Sequence, residues 1–155
     1  MKKLLIMVLA MMLPFFLGGC KDKGDSTAVQ SNENSMVDIY YPEDNNVVKL
    51  EDKYQIKQPD SISASVEEIM LQLMEKLDER MEYHTYLIDA DNNVTLQFVC
   101  NREYNKEYLL LAKAAIVETL FQIEDINSVT IKISDAAGNV IADNLFLRNS
   151  FYFYE

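Results

Sequence analysis

The chain has 155 residues, with 25 acidic against 14 basic side chains, one histidine and two cysteines. That acidic balance argues against a nucleic-acid partner, whose phosphates demand basic surface, and against a domain lying flat on anionic lipid, which needs a polybasic patch. Two cysteines and a lone histidine make neither a disulfide framework nor a His/Cys zinc site, so no metal or cofactor is expected, and long-range attraction favours basic partners.

Residues 1–19 have the anatomy of a secretion signal. Lys2 and Lys3 form a positive start, Leu4 to Leu17 is apolar apart from Pro14, and Gly18-Gly19 precede Cys20. Fourteen residues are too few for a membrane span, which needs about 20. A small-residue site ending on a cysteine, followed at once by polar sequence, resembles a bacterial lipoprotein lipobox. That resemblance implies a diacylglyceryl group on the Cys20 thiol and anchoring at the extracytoplasmic face of a cell membrane. Two acyl chains hold stably where one does not. An ordinary signal peptide with an incidental cysteine is the alternative. Cleavage leaves 136 residues, enough for one domain. Lys2 and Lys3 leave with the signal, so twelve basic residues face twenty-five acidic ones and the formal charge becomes −13.

Residues 20–36 read as the lipidated cysteine and a flexible linker, polar and small, with too little apolar surface to fold. The domain then runs from 37 to 155. Val37 to Tyr41 is a strand stopped by Pro42, and Glu43-Asp44-Asn45-Asn46 is a turn. Val47 to Leu50 is extended, and Tyr54 to Lys57 continues it. Ser65 followed by Glu68 fits a capping box, and Val66, Ile69, Met70, Leu73, Leu77 and Met81 recur at helical spacing. These predict a helix over Ser65 to Arg80, with Met70, Met74 and Met81 filling core gaps.

Tyr86 to Asp89, a turn at Ala90 to Asn93, and Val94 to Cys100 form a hairpin. Val94, Leu96, Phe98 and Cys100 share one face, which places Cys100 inside as an inert thiol. Asp89 to Asn93 resembles the start of a calcium loop only superficially, because Val94 and Cys100 stand where Gly and Glu are required. A second helix spans Lys106 to Ile123, with Ala112 and Ala115 allowing close approach to a sheet. Val129, Ile131 and Ile133 alternate with polar residues in a half-buried strand. Asp135 to Asn139 is a turn, and Val140 to Ala142 is a short return strand. No internal repeat is evident. The apolar tail from Leu145 to Tyr154 is either an edge strand or strap over the core, or an exposed contact patch in which Phe151, Tyr152, Phe153 and Tyr154 are the interface candidates.

One-sided helices and alternating strands in this order predict an α+β fold, a single mixed sheet with two helices packed on one face. Ile39-Tyr40-Tyr41-Pro42, Ser65-Val66-Glu67-Glu68-Ile69, Asp91-Asn92-Asn93-Val94-Thr95-Leu96, the run Leu111 to Leu120 followed by Val129 to Ile133, and Leu147-Arg148-Asn149-Ser150-Phe151 together resemble the GerMN domain of sporulation and germination lipoproteins. The resemblance implies a fold like the ring-building motif of sporulation channels. It also implies a non-catalytic envelope lipoprotein that assembles or positions other envelope proteins, with sporulation-channel or cell-wall machinery as partners and a homo-oligomer as one assembly. Here the segment Leu77 to Thr85 is short and charged where that family carries a Gly- and Pro-containing loop. Two other classes are weighed against it. Glycoside hydrolysis needs paired carboxylates, but Glu67/Glu68 suit a helix start and Asp89/Asp91 a turn, so an enzyme is not expected. A ligand- or peptidoglycan-binding lipoprotein is the alternative reading, disfavoured by a core too small for a large cleft.

Overall fold

A computed structural model describes residues 35–101 and 105–150. The chain divides into two units, Met1–Gln30 and Ser31–Glu155, and every described residue belongs to the second. The signal segment, Cys20, the linker as far as residue 34 and the aromatic residues 151–155 lie outside the described residues.

The order is β1 (Met36–Val37), β2 (Tyr40–Glu43), β3 (Asn46–Lys49), β4 (Tyr54–Gln55), α1 (Ile62–Met74), β5 (Met81–Ile88), β6 (Asn93–Cys100), α2 (Lys106–Leu120), β7 (Ser128–Asp135) and β8 (Val140–Leu147). Strands β5 to β8 form one four-stranded sheet in sequence order. The outer pairs are antiparallel and the central pair, β6 with β7, is parallel. The fold is therefore α+β with a mixed sheet, as the alternation predicts. Val94, Leu96, Phe98 and Cys100 of β6 and Val129, Ile131 and Ile133 of β7 are buried on its inner face, in one cluster with Val66, Ile69, Met70 and Leu73 of α1 and Ala112, Ile116 and Leu120 of α2.

The N-terminal arm departs from expectation. Strand β2 runs through Pro42, which pairs with Val47, and β2 and β3 form their own hairpin apart from the main sheet. Asp44 and Asn45 turn it with φ of 46° and 67°, the left-handed pair that a two-residue hairpin loop demands. Proline is tolerated because this ladder is short and all edge. The hairpin packs on α2. Ser35 and Met36, expected in the linker, already belong to the fold: the Ile56 N–H donates to the Ser35 carbonyl at 2.8 Å and Met36 pairs with Gln55. The arm is held by side chains of α2 and its exit. The Gln122 amide donates to the Asp38 carbonyl and accepts from the Asp38 N–H, both at 2.7 Å. The Thr119 hydroxyl accepts from the Tyr40 N–H at 3.0 Å.

Helix α1 starts and stops earlier than its periodicity predicts. Its N-cap is Ser61, whose hydroxyl accepts from the Ala64 N–H. Ser65 sits inside the helix, fully buried, and donates to the Gln58 carbonyl. Glu68 reaches away from the helix end to accept from the Lys57 N–H at 2.9 Å and from the Tyr54 hydroxyl. The helix ends at Met74, and Met81, which continues the helical stripe in the sequence, is instead the buried first residue of β5. The bidentate Asp78–Arg80 pair turns the chain between them, with the Asp78 N–H donating to the Tyr108 hydroxyl. At the other end of the sheet β8 is longer than expected and takes in Leu145 to Leu147.

The turns β5–β6 and β7–β8 share one design. In each, an aspartate side chain (Asp89, Asp135) accepts from the N–H groups two and four residues on and from the Asn93 or Asn139 side-chain amide. In each, the fourth residue is left-handed, Asn92 at φ 58° and Gly138 at 85°. The pattern Asp-Ala-x-x-Asn is a short repeat that the linear reading passed over.

Arg148 closes the fold. Its guanidinium donates to the Ile126 and Phe121 carbonyls at 2.6 Å and to the Ile123 carbonyl, and lies over the Phe121 ring. Phe121 is the C-cap of α2, at the negative pole of its dipole, and Ile123 and Ile126 belong to the loop that follows. Burial lowers the Arg148 pKa, partly opposed by Glu124 and Asp125.

Two predictions follow from these contacts. Arg148→Met lowers stability by about 2–4 kcal/mol, the scale of several charge-assisted hydrogen bonds with their partners left behind, and Arg148→Lys regains less than half, because a compact ammonium cannot span three carbonyls. Urea unfolding at constant m-value measures both, and a lysine variant as stable as the parent contradicts the clamp. The second concerns acid. Hydrogen bonds from Asn93 and Asn139 hold the Asp89 and Asp135 carboxyls below the usual aspartate range. A carboxyl depressed on folding contributes stability above its unfolded pKa and loses it as pH falls through the folded one. The double variant Asp89→Ala, Asp135→Ala is therefore less stable than the parent at pH 6, and the gap closes as pH falls below about 4.

Candidate functional site

The two faces of the sheet differ because only one is covered. On the outer face Leu87, Thr95, Thr130 and Leu145 stand in one cross-strand row. Thr85, Gln97, Lys132 and Asp143 form the next row, and Leu147 pairs with Ser128 beside them. Leu87, Leu145 and Leu147 are 63%, 61% and 48% exposed, while the apolar inner-face residues of the same strands are half-buried, apart from the buried Met81, and those of β6 and β7 are buried. Lys132 and Asp143 are 3.9 Å apart and both half in water, so the pair neutralises charge there and adds little stability. Gln97, Lys132, Ser134, Val140 and Asp143 line a shallow depression of about 240 Å³ on this side.

The edges are built differently from the face. Tyr83 pairs with Phe98 and Thr85 with Gln97, which leaves His84 as an extra residue on β5. Ile133 pairs with Ala142 and Ser134 with Val140, which leaves Ile141 extra on β8. Each edge strand thus carries a bulge, a device that twists an edge away from pairing with another chain. The bulge at His84 also restores the pleat, so that Tyr83, Tyr86 and Ile88 all face the core.

Two clefts lie elsewhere. One of about 210 Å³ sits among Val37, Ile56, Pro59, Asp60, Gln122, Glu124 and Asp125, below the size usual for small-molecule sites. Another of about 330 Å³ lies between the β2–β3 turn and the start of α2, lined by Glu43, Asp44, Arg80, Asn105 and Tyr108. The Tyr83 hydroxyl is buried without a hydrogen-bond partner among the described residues, and burial, then Tyr86 and Glu67, push its pKa up to about 12. Burial raises the Glu118 carboxyl.

The residues singled out in the sequence are not brought together. Cys100 is buried on the inner face of β6. Glu67 and Glu68 lie on α1, with Glu68 engaged by Lys57 and Tyr54, and Asp89 is occupied by its own turn. Cys20 and Phe151 to Tyr154 lie outside the described residues. Among the described residues there is no group of three or more metal-ligating side chains, and no helix is long and apolar enough to cross a membrane. The open face was missed because Leu145 reveals its side only once the bulge at Ile141 is known. No protein-family model matches the chain, and neither a curated protein nor a solved structure is significantly similar to it.

Deleting His84 tests the edge. The deletion keeps Tyr83 and Thr85 on their present faces and leaves a smooth β5 ladder. The variant is expected to remain folded, with stability within about 1 kcal/mol of the parent, and to self-associate with rising concentration in sedimentation. A monomeric deletion variant contradicts a guarding role for the bulge.

Proposed function

We propose that this chain is a lipid-anchored, non-catalytic envelope protein that binds and positions other envelope proteins from the extracytoplasmic face of a membrane. The anchor is read from the sequence: a signal segment ending at Leu17-Gly18-Gly19-Cys20, then polar linker. The binding role is carried by one observation, a sheet whose outer face leaves Leu87, Leu145 and Leu147 in water while both its edges are bulged. An exposed apolar face beside blocked edges suits docking of another protein surface. The mature charge of −13 favours a partner with basic surface around that contact. The helix–hairpin–helix–strand order of residues 62–135 is compatible with the GerMN resemblance and with the ring-building motif it implies. On that resemblance the partners are sporulation-channel or wall machinery, or further copies of the chain.

Two variants test the two halves. Cys20→Ser is expected to lose fatty-acid labelling and to leave the membrane fraction. A photo-crosslinker at position 145 in cells is expected to capture exported envelope proteins with the lipidated parent, and this capture falls several-fold in Leu87→Lys. A Cys20→Ser chain that still labels with fatty acid removes the anchor. Turnover of purified peptidoglycan, or a thermal shift with a wall fragment and no protein captured, overturns the assembly role.

A further inference from the structure

We propose that the outer face of the sheet docks against the same face of a second copy, in a closed pair whose two-fold axis runs along the strands between β6 and β7. This pairing rests on the docking role proposed above and names the occupant of that face. Its basis is the order of side chains across the sheet. The row Leu87-Thr95-Thr130-Leu145 presents the same residue types from either edge. A two-fold axis through the centre of the sheet lays β8 of one copy over β5 of the other, and β7 over β6. Leu145 then meets Leu87 of the second copy, and Thr130 meets Thr95. Strand direction is kept about such an axis, so the sheets stack in the aligned arrangement.

The charged row fits the same axis. Lys132 meets Gln97 of the second copy, whose side-chain carbonyl accepts from the ammonium, and Asp143 meets Thr85, whose hydroxyl donates to the carboxylate. No charge faces a like charge. Among the described strand residues that face outward, Glu82 alone adds a formal charge, and its carboxylate accepts from the Asn101 amide at 2.9 Å at the end of the sheet. Two mature chains of −13 repel, and a face with so few charges meets little of that repulsion. The bulges at His84 and Ile141 obstruct the other route by which a copy joins, edge to edge.

Four strands of eight residues cover roughly 500 Å², so a pair buries about 1,000 Å², the lower bound for a specific interface. Such a pair is reversible, and tethering to a shared membrane favours it by raising effective concentration. Rotation about the strand direction leaves Ser35, where the arm begins, at the same height along the axis in both copies, so one membrane can hold both anchors. A two-fold pair uses one surface twice and closes, whereas a ring needs two different surfaces on each copy.

Cysteines in the full chain, in cells under a mild oxidant, read this geometry. Cells making Leu87→Cys and Leu145→Cys as two separate chains are expected to give disulfide-linked dimer several-fold above cells making either alone. In the pair, Leu87 lies over Leu145 of the second copy but three strand spacings, about 14 Å, from its own counterpart. Both leucines are exposed and the native Cys100 is buried. Thr130→Arg in both chains, at the centre of the contact, is expected to lower the yield several-fold at unchanged chain level. Single-variant yields that match the mixture, the result of random encounter or edge contact, overturn the pairing, and so does a yield unchanged by Thr130→Arg. No disulfide, with a different exported protein captured by a photo-crosslinker at position 145, overturns the pairing and leaves the docking role standing. No disulfide and no capture overturn both.

Discussion

The parallel pairing of β6 with β7 at the centre of the sheet constrains everything around it. Parallel neighbours cannot be joined by a tight turn and need a crossover, which here is α2 and its flanking loops. The crossover must lie on one face, and α1 packs into the same core on that side. Parallel strands are ordinarily apolar on both faces and covered on both. Here they alternate, with Thr95, Gln97, Thr130 and Lys132 outward, so one face is dry and the other is left wet. The open face is thus a consequence of topology and pattern together, not a gap in the packing.

Placing α2 at the centre also explains the N-terminal arm. The helix touches the sheet on one side and the β2–β3 hairpin on the other. Ala112, Ala115, Ile116, Val117 and Thr119 are all buried, more of its circumference than a helix covering one face of a sheet would bury. Buried polar groups on such a helix need partners. Thr119 finds the Ala115 carbonyl and the Tyr40 N–H, and Gln122 pairs with both backbone groups of Asp38. The arm is therefore a third layer, stitched to the helix by side chains where a sheet would use its own ladder.

Strict alternation made β6 and β7 legible from the sequence, because period two on a half-buried strand leaves no second solution. Ends were harder, for identifiable reasons. Ser61 and Ser65 both offer a cap, and the choice was made by tertiary contact, since Glu68 serves the Lys57 N–H and the Tyr54 hydroxyl instead of its own helix end. Met81 extends a helical stripe and also fits a strand, and the Asp78–Arg80 turn decides between them. The outer-face leucines were illegible for a different reason. A bulge shifts the phase of a strand by one residue, so Leu145, counted from the β7–β8 turn, cannot be assigned a side until Ile141 is known to be the extra residue. Arg148 carried no local signal, because its three acceptors lie more than twenty positions away.

The contrast between edges and face bears on how this domain meets other proteins. An edge strand recruits by backbone hydrogen bonds, which any extended chain can supply, so an open edge is promiscuous. A face recruits through side chains and discriminates by shape and charge. With His84 and Ile141 interrupting the two edge ladders, the first route is impeded at both ends of the sheet, and the rows from Leu87 to Leu145 remain for the second. Under the anchored role proposed above, that choice matters. Crowding raises every weak encounter, and only contacts that depend on particular side chains can keep most of those encounters unproductive.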